Sequence, residues 1–144
     1  MKDEVGLSRK LYRKLLYRNI DKVYEIHFKR KQMPRKNKKV LDVGMGFGFD
    51  LITKYREGYD CYGIDNDELR VSKTKEMFEK NGLNAVLKVG VATKIPFGRN
   101  FFDMVICSHM IEHVRDDKKC LREIFRVLKK GGILHIRVPN IHNL

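Results

Sequence analysis

No apolar run in this 144-residue chain reaches 18 residues, so a transmembrane helix is not expected. The opening Met1-Lys2-Asp3-Glu4 has none of the apolar stretch that a secretory leader carries. Cysteine is scarce. Cys61, Cys107 and Cys120 are odd in number and lack CxxC spacing, which argues against a disulfide framework, a zinc knuckle or a redox pair and for reduced thiols in a cytoplasmic protein. Internal repeats are missing. Acidic residues are sparse where basic ones are dense: residues 1–39 hold 14 Lys/Arg against 4 Asp/Glu, net +10, whereas residues 40–144 hold 17 against 14, net +3. The excess basicity therefore belongs to one end of the chain. It predicts an anionic partner, RNA or a membrane surface, docking through residues 1–39; the alternative is a solvated helix with a Lys-rich linker.

Residues 1–38 read as a basic amphipathic segment, with Leu7, Leu11, Leu15 and Leu16 at helical spacing and Arg9, Lys10, Arg13, Lys14 and Arg18 between them. Pro34 sits in the linker that follows and cannot continue a helix. From residue 39 to 144 the pattern changes. Short apolar runs at 40–43, 62–64, 85–89, 104–107 and 133–138 alternate with helical patterns at 48–56, 67–81 and 116–129. In the last of these helices Cys120, Leu121, Ile124, Phe125 and Leu128 share a face, and Gly131-Gly132 is the expected stop; Leu69, Val71, Met77 and Phe78 are the apolar contacts of the one before. Strands alternating with helices predict an α/β fold, doubly wound, with a mainly parallel sheet.

The most informative stretch is Leu41-Asp42-Val43-Gly44-Met45-Gly46-Phe47-Gly48. Glycines at every second position straight after a strand let the backbone turn and approach a ligand closely. The next helix points its free N–H groups into the same space. A dinucleotide fingerprint needs GxGxxG and a P-loop needs GK[ST]; neither is present. Asp50, at the helix start, would repel a pyrophosphate. A ligand without phosphates fits better. Asp65 ends the second strand 17 residues after Gly48, where a carboxylate can accept both hydroxyls of a ribose. Asp67 can cap the following helix, which leaves Asp65 for the ligand.

With these residues in view, Val40 to Val138 resembles the class I S-adenosylmethionine-dependent methyltransferases, and most of all their small-molecule and quinone-type branch. The resemblance is carried by the glycine loop, by Gly63-Ile64-Asp65, by Ile95-Pro96-Phe97, by Phe101 to Ser108, and by Leu121 to Gly132. It implies a Rossmann-like sheet in the order 3-2-1-4-5 and S-adenosyl-L-methionine as cofactor. It also implies cofactor binding by Asp42, Gly44, Met45, Gly46, Gly48, Asp65, Asn66, Val91, Ala92 and Ser108, with Asp42 fixing the loop. Two departures stand out. The family usually has an acidic residue after the third strand, where this chain has Val91. The family fold has seven strands, whereas this chain ends just after the fifth. The expectation is that the edge of strand five pairs with a second copy of the chain or is covered by the N-terminal helix.

His109, Glu112 and His113 follow the fourth strand, where the methyl donor should face its acceptor. They stand at i, i+3 and i+4, so a helical segment would put them on one face. General acid–base work is the candidate chemical role, and loop closure through hydrogen bonds is the structural alternative. No metal is expected; a site built from His109, Glu112, His113 and His142 is the alternative. The chain thus reads as a methyltransferase acting on an unidentified acceptor, which could be a small molecule, a lipid or glycan precursor, or RNA. The rival readings are a non-catalytic cofactor-binding module or partner subunit, and an RNA-docking enzyme that uses the basic segment.

Overall fold

The computed structural model describes residues 33–138, together with Arg18. The amphipathic helix expected before residue 33 and its packing on the domain lie outside the described residues. Within them the chain runs β1 (Lys39–Val43), α1 (Phe49–Arg56), β2 (Asp60–Asp65), α2 (Glu68–Lys80), β3 (Ala85–Val89), β4 (Phe102–Ser108), a 3-10 turn (Ile111–His113), α3 (Asp117–Val127) and β5 (Leu128–Arg137). The five strands form one sheet in the order β3-β2-β1-β4-β5. All four pairings are parallel, as in Val40 beside Cys61 and Met104. The fold and strand order expected from the sequence are the ones observed. None of the described helices is long and apolar enough to cross a membrane.

Parallel strands buried on both faces need apolar residues at every position, and β1 shows how the two sides are divided. Val40 joins Leu51, Ile52, Val71, Met77, Phe78, Leu87 and Ile106 on the side covered by α1 and α2. Leu41 and Val43 join Ile64, Phe102, Val105, Cys107, Cys120, Ile124 and Val127 on the side covered by α3. The period of two along the strand assigns each residue to its layer. Each fully buried Leu, Ile, Val or Phe contributes about 1.5–3 kcal/mol of burial, so both layers are needed. Under the α3 side, Tyr62, Phe97, Phe101 and Phe102 meet mainly edge to face, with centroids 4.9–5.6 Å apart in the T-shaped pairs. Asp67 and Asp116 cap α2 and α3, accepting from the Arg70 and Lys119 amides.

Three local expectations are corrected. The last helix ends at Val127, not Lys129, and β5 begins at Leu128 instead of Ile133. Leu128 is extended and lies beside Phe102. The carbonyls of Arg126 and Val127 are taken by the amides of Asn100 and Phe101, at 2.9 and 2.8 Å. With those acceptors used, the helix has nothing to gain from another turn. The two glycines instead lie within β5, where the register with β4 shifts between Phe102 and Met104. The second correction is Phe125, which is 62% exposed, and the third is Leu69, which is 82% exposed. Helical spacing gave both an apolar stripe, but that stripe is wider than the surface the sheet can cover. β3 and β5 are the two sheet edges among the described residues, and Ile133, Ile136 and Val138 on or beside β5 are exposed.

Candidate functional site

The glycine loop leaves β1 at Val43 and enters α1 at Phe49. Gly44, Gly46 and Gly48 all have left-handed φ, at 75, 56 and 75°, a conformation that costs other residues about 1–2 kcal/mol each. Their spacing is therefore a backbone requirement. The loop is pinned from two sides. The amides of Gly44 and Met45 both donate to the Ile64 carbonyl, each at 2.9 Å, and the Thr74 hydroxyl donates to the Gly46 carbonyl at 3.1 Å.

The third fastening is Asp65. Its side chain is buried, and its Oδ2 accepts from the Gly46 amide at 3.0 Å. Oδ1 accepts from the Asp67 amide at 2.9 Å, and the Arg70 guanidinium stands 3.7 Å from Oδ2. The residue that the sequence assigned to a ribose thus also ties the loop to the end of β2. A carboxylate offers about four lone-pair sites, so acceptor capacity remains. Asp67 caps α2, as expected.

A cleft of about 630 Å³ opens at the carboxyl ends of the strands, lined by Val43, Gly44, Ile64, Asp65, Asn66, Arg70, Gly90 to Thr93, His109, Met110, His113 to Asp116, and Lys119. Open α/β sheets bind ligands at this end. Among the residues assigned to cofactor binding, Gly44, Asp65, Asn66, Val91 and Ala92 line it. Met45, Gly46, Gly48, Asp42 and Ser108 do not line it. Ser108 donates its hydroxyl to Asp50 Oδ2 at 3.1 Å, and Arg137 reaches Asp50 Oδ1 at 3.0 Å. That trio ties the first turn of α1 to the ends of β4 and β5. Buried Asp42 lies near Asp50 and Asp65. Burial first, and then those two negative neighbours, hold its carboxyl well above the usual carboxylate range.

After β4 the structure departs from the helical face drawn from the sequence. Only Ile111–His113 is helical, as a single 3-10 turn. His109 precedes it with a φ of 53°, and its amide donates to the Arg137 carbonyl at 2.8 Å. His109, Glu112 and His113 are exposed and do not line up on one helix. His109 and His113 line the cleft, whereas Glu112 does not; Glu112 Oε1 is 3.8 Å from His113 Nε2. Among the described residues, no group of three or more His, Cys, Asp or Glu stands close enough to hold a metal ion. His142 lies outside them.

Arg70, Thr93, Arg115, Asp116 and Lys119 line the cleft and were not singled out from the sequence. Charges in the first turn of a helix read as solvated or capping residues, and only the tertiary fold turns these toward the strand ends. Two further motifs prove to be structural. Arg126 donates to the carbonyls of Ile95 and Phe97, each at 2.9 Å, and Glu123 Oε2 accepts from the Ile95 amide at 2.8 Å. The Ile95-Pro96-Phe97 turn is thereby fastened to α3. The three cysteines are free and buried, and burial pushes the Cys61 and Cys107 thiols up to about 12. They are poor nucleophiles in that state.

A family model described as a methyltransferase domain matches residues 41–136. A curated relative, an uncharacterized methyltransferase (YcgJ) of Bacillus subtilis, is 30% identical over 99 residues, covering 68% of this chain and 39% of its own. The ubiquinone biosynthesis O-methyltransferase of Pelagibacter ubique is 32% identical over 122 residues, covering 85% of this chain and 50% of its own. The chain therefore spans half or less of the length of these relatives. Among solved structures, the [4+2]-cyclase SpnF superposes with a TM-score of 0.67 at 25% identity, over 81% of this chain and 43% of that one. With the glycine loop, the β2 carboxylate and the 3-2-1-4-5 sheet in place, the match over residues 41–136 identifies this chain as a member of the class I S-adenosylmethionine-dependent methyltransferase family.

Proposed function

We propose that the cleft at the strand ends binds S-adenosyl-L-methionine and that the protein transfers a methyl group to an acceptor reaching the cleft from its exposed rim. The observation that carries this reading is Asp65, a buried carboxylate that opens onto the cleft while holding the glycine loop through the Gly46 amide. The donor set suits a nucleoside: a carboxylate for hydroxyl donors, the apolar Val91, Ala92, Met110 and Val114 for a flat ring, and a volume of about 630 Å³, within the roughly 300–1,000 Å³ of small-ligand sites. A Cβ on Gly46 would meet nothing within 4 Å, so the space above the loop is open.

When bound, the cofactor supplies an electrophilic methyl carried on a sulfonium, so the chemistry is largely its own. The protein's share is alignment and proton management. Asp65 accepts from hydroxyls and fixes the nucleoside end. His109 and His113, on the cleft wall, are the groups that take a proton from an acceptor O–H or N–H at an imidazole nitrogen. Family membership by itself fixes no acceptor atom.

Calorimetric titration of the full chain with S-adenosylmethionine, its demethylated product and NAD tests the assignment. Binding of the first two and not of NAD is expected. Asp65→Ala should weaken binding at least about tenfold, because charge-assisted hydrogen bonds of about 1.5–3 kcal/mol each are lost. Unchanged affinity in that variant overturns the reading. A second reading, cofactor binding without methyl transfer, is supported by the likeness to a protein named as a cyclase. It predicts affinity for the cofactor with no labelled methyl passed to any acceptor class.

A further inference from the structure

Beside the cleft, on the outer side of α3, lies a second concavity of about 600 Å³ lined by Arg99, Lys119, Arg122, Glu123, Phe125 and Arg126. Lys119 lines both this groove and the cleft, and Arg115 stands on the cleft rim next to it. The two spaces adjoin. Arg99, Arg115, Lys119 and Arg122 are exposed, and among the described residues no ion pair engages their side chains. The one acid in the groove is already satisfied: Glu123 accepts from Arg126 at 2.7 and 2.8 Å and from the Ile95 amide. That contact lowers its pKa and keeps its partner in place. The uncompensated field of the groove is therefore positive. In its midst stands Phe125, 62% exposed, an aromatic ring that the core leaves uncovered.

We propose that this groove is a binding track for single-stranded nucleic acid, leading along α3 to the rim of the cleft. Three features favour a strand. Lys119 and Arg122 fall at i and i+3 and, with Phe125 at i+6, form one row on α3. From Lys119 to Phe125 the row covers about 9 Å of helix, more than a single inorganic anion can bridge. An exposed aromatic ring among cations is the pairing that single strands use, phosphates on the charges and a base on the ring. A membrane surface is the weaker match: the site is concave, and Phe125 is its only large apolar side chain, whereas a helix lying in a bilayer interface presents a row of them. This track is separate from the basic residues 1–39 and does not rest on the cofactor assignment.

The test is fluorescence anisotropy of a labelled oligouridylate of about 20 nucleotides, several times the shortest single-strand sites, with the full chain. Because the chain carries a net charge of +13, charge-matched controls are essential. Lys119→Gln with Arg122→Gln should raise Kd at least tenfold and reduce the slope of log K against log salt by about 1.4, two single-strand phosphate contacts. Phe125→Ala, which alters no charge, should raise Kd about fivefold or more through one lost stack. Lys75→Gln with Lys80→Gln, on α2 across the sheet, should stay within twofold. Far-UV circular dichroism and melting of each variant establish that these exposed changes leave the fold intact. Equal weakening by the α2 pair, or no effect of Phe125→Ala, overturns the proposal. So does binding to phosphatidylglycerol vesicles that depends on Phe125 while oligonucleotide binding does not.

Discussion

At the ends of neighbouring strands, β1 and β2, stand two buried aspartates on the same side of the sheet, and their surroundings could hardly differ more. Asp65 accepts from two backbone amides and faces Arg70. For Asp42, burial and the neighbouring charges of Asp50 and Asp65 oppose the anion, outweighing the pull of Arg137. The fold aims donors at one carboxylate and presses the other toward its neutral form. Burial alone does not determine a side chain's charge; the count of donors aimed at it does.

The largest effect should come from the bonded member. Asp65→Ala leaves the Gly46 and Asp67 amides without their acceptor and should cost about 4 kcal/mol in urea unfolding, from two lost bonds to a charged group. Next comes Gly48→Ala. A Cβ there would lie 2.5 Å from Phe78 Cζ at a φ of +75°, and strain plus overpacking should cost about 3 kcal/mol. If cofactor affinity falls as far in this variant as in Asp65→Ala, the carboxylate acts mainly through the loop and not on the ligand. Arg126→Ala supplies a control on the α3 side. It frees the Ile95 and Phe97 carbonyls and should cost about 2 kcal/mol while leaving cofactor affinity unchanged.

The smallest effect, and the one that most directly tests the contrast, belongs to Asp42→Asn. Asp42 binds its proton more tightly in the folded chain than in the unfolded one. Raising pH from its ordinary carboxylate value through its elevated folded value therefore removes stability. The asparagine variant is spared that loss. Its melting temperature relative to the parent should rise between pH 4 and pH 8 and level with it in stronger acid. A constant difference across that range would mean that Asp42 is not held neutral.

Much of this was legible before any coordinates. Glycine spacing after an apolar run marks a strand-to-helix turn wherever it occurs, and the left-handed φ values of Gly44, Gly46 and Gly48 are what that spacing encodes. The parallel sheet followed from the alternation of patterns, and its strand order from the family resemblance. What escaped was long-range. Asp65 bonding Gly46 joins residues 19 apart, and no local pattern announces which backbone amide a carboxylate will find. The early end of α3 depends on Asn100 and Phe101 arriving from elsewhere to take its last carbonyls. The helical face drawn through His109 and His113 failed because the His109 amide bonds the Arg137 carbonyl on the neighbouring strand, a competitor invisible in sequence. Phe125 shows the converse: periodicity tells which residues share a stripe, not how much of it a sheet can cover.

Where the chain joins the domain sets a constraint on geography. Asp103 Oδ2 accepts from the Lys39 amide at 2.8 Å and Oδ1 meets Lys129 Nζ at 3.2 Å, and Met33 and Lys36 bond the carbonyls of Arg56 and Gly58. These fastenings anchor the start of β1 at the pole of the sheet opposite the cleft. Anything ahead of residue 33 that serves the strand ends must first travel the length of β1, about 16 Å for five residues. As helix, that journey takes roughly 11 residues. Residue 33 is thus moored at the far pole, and whatever precedes it starts its path to the strand ends from there.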